Sequence, residues 1–476
     1  MIFSMFIGAA CLLVFLLMAV LMSSRRLSAL LALPLMALAI AVIAQIPGPQ
    51  ILTDVLSKGA TKLNATYTTT MFGAMLAELL NKQGLAKSLI RWVAEFGGDN
   101  PFWLCIILTL ATAALFSTIG GLGAVIMVGT IILPVMLSLG VSNITAGSLF
   151  LFGISLGGMF NIAGWQLYMD VLKLQQSQII GFVLPFAMVL SLIIVVFLVI
   201  ELRNLKNVPS ALICIALLGG LCALLAQHAP AAGPTAVKVP EPTSIVVAAA
   251  ILAMLAVGAI FRHRAQVTSN PPYALLTPIL PLILVLFFNW DFIPAFMYGL
   301  AYCLFSTWKR NSVTVLTRAI IDGINSVIPA VVLMMGIGML INCVSNPIVT
   351  ASIEPLLRQA VPTHALSYVV VFTILAPLAL YRGPLSLWGM GSGLVAVIQK
   401  STALAGGAIM SMLLSVGQLQ GICDPTNTAN IWIATYLHTD TQVLLRRTVA
   451  YAWAAAFLGL CLAVGQGYVS FAYDKY

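Results

Sequence analysis

Charged residues are scarce in this sequence. Only 7% of its 476 residues are charged and 61% are hydrophobic, whereas roughly 25% of residues are charged in an ordinary soluble domain. A soluble protein needs more charged residues than this to cover its surface. The composition therefore excludes a soluble enzyme. The net charge of +9 arises from basic residues in short loops between apolar runs, a pattern that argues against nucleic acid as a partner.

Motifs for metals and nucleotides are also missing. The four histidines share no ligand spacing, and the eight cysteines are scattered, mostly within apolar runs, as is typical of small buried residues. Without a glycine-rich ATP-binding loop, primary active transport is excluded. No positive segment precedes the first apolar run, and Arg25 and Arg26 follow it, which predicts an uncleaved span. We expect no cofactor and no protein-held metal.

Apolar runs of membrane length recur along the whole chain. A spanning helix needs about 17 to 25 apolar residues, and only helices and closed barrels span a bilayer. The sequence therefore predicts an all-α polytopic membrane protein with about twelve membrane elements. The predicted runs are Ile2 to Met22, Leu27 to Ile46, Leu63 to Leu80, Phe102 to Gln166 with glycine breaks, Ile179 to Ile200, Ala211 to Gln227, Ser244 to Phe261, Tyr273 to Phe288, Phe292 to Thr307, Gly323 to Cys343, Ala365 to Tyr436 with further breaks, and Val449 to Gly467.

Loop charges predict the orientation of these spans. Basic residues concentrate in alternate loops, which the positive-inside rule assigns to the cytoplasm. The pattern predicts a multi-pass inner-membrane protein with both termini outside the cytoplasm. The basic loops contain Arg25/Arg26, Lys82/Lys87/Arg91, Arg203/Lys206, Arg262/Arg264, Lys309/Arg310 and Arg446/Arg447, and the opposite side receives the loops at Pro47 to Pro49, His228 to Glu241 and Asn289 to Asp291.

An internal repeat appears when the chain is compared with itself at a shift of about 264 residues. ILTDVL at 51 matches VLTRAI at 315, and ALFSTIGG at 114 matches ALYRGPLS at 379. The predicted topology gives the two copies opposite orientations, so the fold class includes two inverted-topology repeats with broken or re-entrant helices, as in many secondary transporters. We expect the first repeat over residues 1–207, linker spans over 208–272 and the second repeat over 273–476.

Four segments combine glycine, proline and small polar residues inside membrane-length runs. Proline removes an amide donor and glycine tolerates unwound backbone, so these segments predict helix breaks. Irregular backbone at membrane depth is tolerated only where it is buried in protein or lines a cavity. Four paired breaks therefore indicate one central site, although single glycines also serve close helix packing. The segments are residues 117–123, 157–164, 381–386 and 421–430.

Two ionisable residues lie in the second-half breaks, and a charge at membrane depth indicates function by default. Arg382 can bind a carboxylate through two parallel hydrogen bonds; the alternative is a structural ion pair or a snorkelling side chain. Asp424 can carry a proton, help to hold Na⁺ or contact a substrate-bound metal. Its alternative is a cap on the half-helix that begins after Pro425.

Two further acidic residues have helical spacing to a lysine. Glu78 precedes Lys82 by four residues and Asp170 precedes Lys173 by three, and side chains at these spacings are neighbours on a helix surface. We interpret both as interfacial ion pairs rather than as ion ligands.

Four stretches of the sequence are distinctive: LVFLLMAVLMSSRRLSALLALPLMALAIAVI near the start, ALFSTIGGLGAVIMVGTIILPVMLSLGVS, SLGGMFNIAGW and the late VGQLQGICDPTNTANIWIATYLHTDTQVLLRRTVAYAW. Together they resemble the citrate-metal-proton symporter family of the wider ion-transporter superfamily. The family's acidic, threonine-rich motif at the first break is absent, because this chain has FSTIGGLGAV there. The wider group's Ser-Asn-Thr motif is echoed by Asn427 and Thr428. The resemblance implies a scaffold region and a mobile transport region that move by an elevator mechanism.

The sequence therefore predicts a symporter that imports a small organic anion, a di- or tricarboxylate such as citrate, with H⁺ or Na⁺. The alternative is a cation/proton antiporter of the same superfamily that uses Asp424, with Arg382 only structural. The expected partners are the organic anion, with a metal only if the substrate carries one, the lipid bilayer and a second copy in a homodimer. The predicted substrate residues are Arg382, Ser386, Ser117, Thr118, Gly121 and Asn161, and the predicted coupling-ion residues are Asp424, Thr426, Asn427, Thr428 and Asn430.

Overall fold

A computed structural model describes residues 2–23, 26–97, 100–202, 242–264, 270–357, 364–382 and 404–469, with isolated positions 209, 213, 216, 362, 385, 395 and 398. Within these ranges the protein is almost entirely helical and has no β-strand. The first nine helices are α1 Ile2–Ser23, α2 Ala29–Ile43, α3 Asn64–Lys82, α4 Leu85–Gly97, α5 Pro101–Phe116, α6 Gly121–Ser138, α7 Asn143–Met159, α8 Ile162–Leu172 and α9 Gln176–Leu202. The later nine are α10 Pro242–Arg264, α11 Leu280–Phe288, α12 Phe292–Ser306, α13 Ser312–Val344, α14 Pro347–Leu357, α15 Ala365–Leu375, α16 Gly406–Cys423, α17 Thr428–Tyr436 and α18 Thr441–Gly465.

The lengths and compositions of these helices confirm a polytopic membrane fold. In the described part of the chain, six helical stretches are long and apolar enough to span a bilayer, and the bent pair α7 and α8 makes a seventh. Shorter apolar helices include α2, α5 and α12. The predicted span at 211–227 and the predicted loop at 228–241 lie outside the described residues, apart from positions 213 and 216.

Three boundaries differ from the hydropathy prediction. The helix predicted from Gly323 begins at Ser312, because Arg318 and Asp322 lower the hydropathy of turns that are helical all the same. Residues 48–61 form a helical segment that contains a π-helical turn, Ile51–Ser57, although hydropathy placed no span there. The run from Tyr273 is divided into a short 3-10 helix and α11, since Pro278 and Pro281 interrupt it.

The described helices pack into two bundles. The first bundle contains α1, α2, the 48–61 segment, α3 and α10 to α14, and the second contains α5 to α9 and α15 to α18. Helix α4 contacts both bundles, and α8 is the second-bundle helix that packs most extensively on the first, against α3. The broken helices therefore lie together in one bundle, with α8 at its boundary.

Helix α13 makes two close backbone contacts, one with the 48–61 segment and one with α3, and the repeat relates the two contacts to each other. A Cβ placed on Gly59 would lie 2.6 Å from Met339 Cα, and a Cβ placed on Gly323 would lie 2.8 Å from Met75 Cα. Gly323 and Met339 stand 264 positions after Gly59 and Met75. The nearest atoms are also the same kinds, namely the methionine Cα and N and the preceding carbonyl oxygen. Such reciprocal contacts are those of a two-fold interface, and they support the inverted repeat that the sequence predicts.

These two glycines give a stability prediction. Gly59→Ala should destabilise the protein by about 1 to 3 kcal/mol, because the methyl group would meet backbone atoms that cannot move aside alone. Gly323→Ala should cost a similar amount. Gly258→Ala in α10 is the matched control, since nothing lies within 4 Å of its Cβ position. Thermal unfolding of the three purified variants checks this, and equal melting temperatures for all three would contradict the close crossing.

Side-chain contacts join several of the segments whose orientation the loop charges predict. Lys82 Nζ lies 2.7 Å from Asp322 and 3.2 Å from Glu78, which confirms the predicted Glu78 pair. In the loop before α13, burial lowers the pKa of Lys309, and the positive charge of Arg262 lowers it further. At the start of α10, the Trp290 indole N–H donates to Ser244 Oγ over 3.0 Å. The membrane side of each group stays a prediction.

Candidate functional site

The two broken helices of the second bundle, α7–α8 and α16–α17, run antiparallel alongside each other. The Asn143 amide donates to the Leu437 carbonyl over 2.9 Å, where the first begins and the second ends. At the opposite end, a Cβ on Gly406 would lie 2.8 Å from the Leu172 carbonyl oxygen. In the middle, the Ser155 hydroxyl donates to Gln418 Oε1 over 2.7 Å. The two helices are thus paired over their full lengths.

Three of the four predicted breaks are described, and all three are real interruptions. The first break, residues 117–120, separates α5 from α6. The second break, residues 160–161, separates α7 from α8 with a bend of 50°. The third break, residues 424–427, separates α16 from α17. The predicted fourth break at 381–386 begins at the end of a 3-10 helix, Ala376–Arg382, and otherwise lies outside the described residues, apart from position 385.

The described breaks converge near the middle of the paired helices. Ser155 lies four residues before α7 ends and Gln418 lies five before α16 ends, or about 6 to 8 Å along each axis. The first break is adjacent, because Gly157 packs directly against Ala113 and Phe116 in the last turn of α5. The convergence supports a single central site.

Open space borders the first and second breaks. Gly120, Gly121, Gly123 and Gly158 are exposed, and nothing lies within 4 Å of their Cβ positions. Gly121 has a φ of +80°, a conformation that a side chain would strain. Because irregular backbone does not face lipid at membrane depth, this open space fits a cavity within the protein rather than a lipid-facing surface.

Each half-helix that follows the second or third break begins with an asparagine cap. Asn161 Oδ1 accepts from the amides of Ala163 and Gly164 at 3.0 and 3.3 Å. Asn427 Oδ1 accepts from the Ala429 amide at 3.2 Å. The caps fix two helix N-termini at the site, and helix N-termini favour anions. Both side chains therefore have a structural role beside the predicted binding roles.

The third break is the most polar of the three. Asp424 is fully buried, and its Oδ1 accepts from the amide and the hydroxyl of Thr426 at 2.8 and 2.7 Å. Asn430 is 2% exposed, and its amide donates to the Ile422 carbonyl at 3.0 Å. Its Oδ1 finds no hydrogen-bond partner among the described residues. A carboxylate and an amide oxygen are the ligand types that hard cations take, so this break can hold a proton or a cation.

The remaining predicted site residues divide between the described breaks and the fourth segment, which lies mostly outside the described residues. Ser117 and Thr118 are buried, and their hydroxyls donate to the carbonyls of Ala114 and Leu115 at 2.8 and 3.2 Å. Thr428 is exposed at the start of α17. The backbone of Arg382 ends the 3-10 helix, which packs against α16. The Arg382 side chain and Ser386 lie outside the described residues.

Sequence reasoning missed two features of this region. Ser155 and Gln418 join the broken helices and stand 263 positions apart, so the repeat shift could have identified the pair. The predicted pair of Asp170 with Lys173 is wrong. Asp170 Oδ2 instead accepts from the Thr66 amide and hydroxyl at 3.2 and 2.6 Å, because Lys173 leaves the helix with a φ of 56°.

Comparisons with known proteins identify no family for this chain. No protein-family model matches the chain, and no curated protein matches it. The predicted membership of the citrate-metal-proton symporter family is therefore not confirmed. The crystal structure of the YdaH transporter from Alcanivorax borkumensis is similar over 89% of this chain and 90% of that chain, with 16% sequence identity and a TM-score of 0.48. A likeness at that level carries no conclusion about activity.

Proposed function

We propose that the protein is a secondary active transporter that imports a small organic anion, a di- or tricarboxylate, by symport with H⁺ or Na⁺. The observation that carries this proposal is the antiparallel pair of broken helices, whose two breaks lie beside the Ser155 to Gln418 contact. Discontinuous helices from inverted repeats bind substrates and coupling ions near the bilayer midplane. The apolar helices support a membrane location, and the cytoplasmic membrane is part of the proposal.

Roles within the site follow the chemistry of each break. The capped N-termini after Asn161 and Asn427 offer amide donors and partial positive charge to a carboxylate. Arg382, with Ser117, Thr118, Gly121 and Ser386, completes the anion side of the proposal. Asp424, Thr426 and Asn430, with Asn427 and Thr428, form the coupling-ion side. The amide oxygen of Asn430, which has no hydrogen-bond partner among the described residues, supports a cation ligand there.

An elevator movement is proposed from the arrangement of the bundles. The second bundle contains the three described breaks. Within the described residues, most of the contact between the second bundle and the first is made by α8. Asp170 contributes a polar junction there through Thr66. Polar junctions of this kind can exchange partners with water at an interface, whereas a large apolar interface would resist sliding.

A cation/proton antiporter is the second candidate, because a fully buried aspartate at a helix break is suited to proton exchange without an organic substrate. In that case Arg382 has only a structural role.

The proposal is tested by uptake into proteoliposomes that contain the purified full chain. Labelled di- and tricarboxylates are supplied with an imposed Na⁺ gradient or pH gradient, each with and without Mg²⁺. We expect accumulation of at least one carboxylate above its equilibrium level under one gradient. Cation/proton exchange that no carboxylate affects would favour the antiporter. The absence of both carboxylate uptake and ion exchange would contradict both candidates.

A further inference from the structure

Helix α4 has one apolar side buried in the protein and one basic side exposed. Its apolar residues Leu85, Ala86, Leu89, Ile90 and Val93 are at most 9% exposed, and the helix packs on α3, α5, α6 and the 3-10 helix at Pro272–Leu276. Thirteen residues with this polarity reach only about 20 Å. The helix is therefore too short and too polar to span a bilayer.

Two basic side chains are exposed on the opposite side of α4. Lys87 and Arg91 are exposed and one turn apart, and neither makes an ion pair or a hydrogen bond with a described residue. Trp92 lies beside them with 46% of its surface exposed. Glu95 is also exposed one turn further on and forms no ion pair with Arg91 among the described residues. Basic residues with an exposed tryptophan are typical of helices that lie at a membrane surface.

The inverted repeat provides an internal comparison for these charges. Helix α14 stands about 264 positions after α4, and the residues 264 positions after Lys87 and Arg91 are Ala351 and Pro355. The basic side is therefore not required by the repeat fold. It occurs at the end of the molecule that the loop charges assign to the cytoplasm, where the lipid leaflet is negatively charged.

We infer that α4 is a lipid-binding surface, on which Lys87 and Arg91 bind the anionic headgroups of the adjacent leaflet while Trp92 lies at the headgroup level. The occupant is fixed by charge complementarity, because an anionic phosphate matches two cations that no described residue pairs, and a zwitterionic headgroup does so less well. Each basic side chain near a charged surface contributes about a five-fold preference for anionic lipid. Bulk salt should weaken that preference.

Quenching by brominated lipid tests this inference. The full chain is reconstituted in phosphatidylcholine vesicles with an equal fraction of dibrominated phosphatidylglycerol or dibrominated phosphatidylcholine, and the Trp92 signal is the difference between wild type and Trp92→Phe. We expect the anionic quencher to act several-fold more strongly. The Lys87→Gln/Arg91→Gln double variant should abolish that preference, whereas Lys58→Gln, an exposed lysine in the 48–61 segment that pairs with Asp54, should retain it.

Two outcomes would overturn the inference. They are equal quenching of Trp92 by the two lipids, and an unchanged preference in the double variant. Fluorescence of the remaining tryptophans reports whether each variant is folded, so a folding defect is recognised separately. The readout requires no transport activity and is therefore independent of the proposed function.

Discussion

Arg382→Lys is expected to weaken the apparent affinity for the organic anion by roughly ten- to a hundred-fold. Lysine keeps the charge but loses the planar fork that makes two parallel hydrogen bonds with a carboxylate, a loss on the order of 1.5 to 3 kcal/mol. The 3-10 helix that ends at Arg382 packs against α16, which leads into the third break. Arg382→Ala should lose more than Arg382→Lys.

The measurement is concentration-dependent uptake by purified variants, with Arg446→Lys as a matched control because Arg446 is exposed in α18. The control should transport like the wild type. The antiporter alternative gives a different pattern, in which both Arg382 variants keep ion exchange whenever they fold. An Arg382→Lys protein that binds its carboxylate as tightly as the wild type would remove Arg382 from substrate binding.

Asp424→Asn is expected to abolish or uncouple driven accumulation while the protein stays folded. An asparagine oxygen can still accept the two Thr426 hydrogen bonds that close this turn, since both residues form such turns. The amide cannot take up a proton at neutral pH or supply a full negative charge to a cation. The break should therefore keep its shape and lose its coupling chemistry.

Gradient-driven uptake and substrate binding are compared for Asp424→Asn and for Asp291→Asn. Asp291 is exposed and makes no side-chain cap at the start of α12, so its change should leave transport intact. Binding without accumulation is the expected signature of Asp424→Asn. If accumulation and its dependence on the ion gradient were the same as in the wild type, Asp424 would have no part in coupling.

The sequence predicts more of this fold than of its site. Membrane helices follow from apolar length alone, and the three described breaks lie at the predicted glycine and proline segments, because few other sequences are tolerated there. Hydropathy failed at 312–322 and 48–61, where charged residues lie on helices whose stability comes from packing between α3, the 48–61 segment and α13. Composition cannot show such packing.

Side-chain partners were harder to predict than breaks. Helical spacing gave the Glu78 to Lys82 pair correctly, but for Asp170 a donor on another helix replaced the neighbouring lysine. The capping roles of Asn161 and Asn427 depend on where each half-helix starts, and sequence locates such starts only to within a few residues. The Ser155 to Gln418 contact depends on how two distant segments pair, which no local pattern records.

Under the proposed alternating transport, the reciprocal contacts of α13 with the 48–61 segment and α3 bear on the balance between the two end states. When the two repeats exchange conformations, the Gly59 contact and the Gly323 contact replace each other. Their summed packing free energy is therefore the same in the outward-open and inward-open states, and these contacts favour neither state. Asp170 and Thr66 do not share this property, because the positions 264 residues later are Ala434 and Ala330. The proposal therefore predicts that the resting free-energy difference between the states arises from contacts that only one repeat contains.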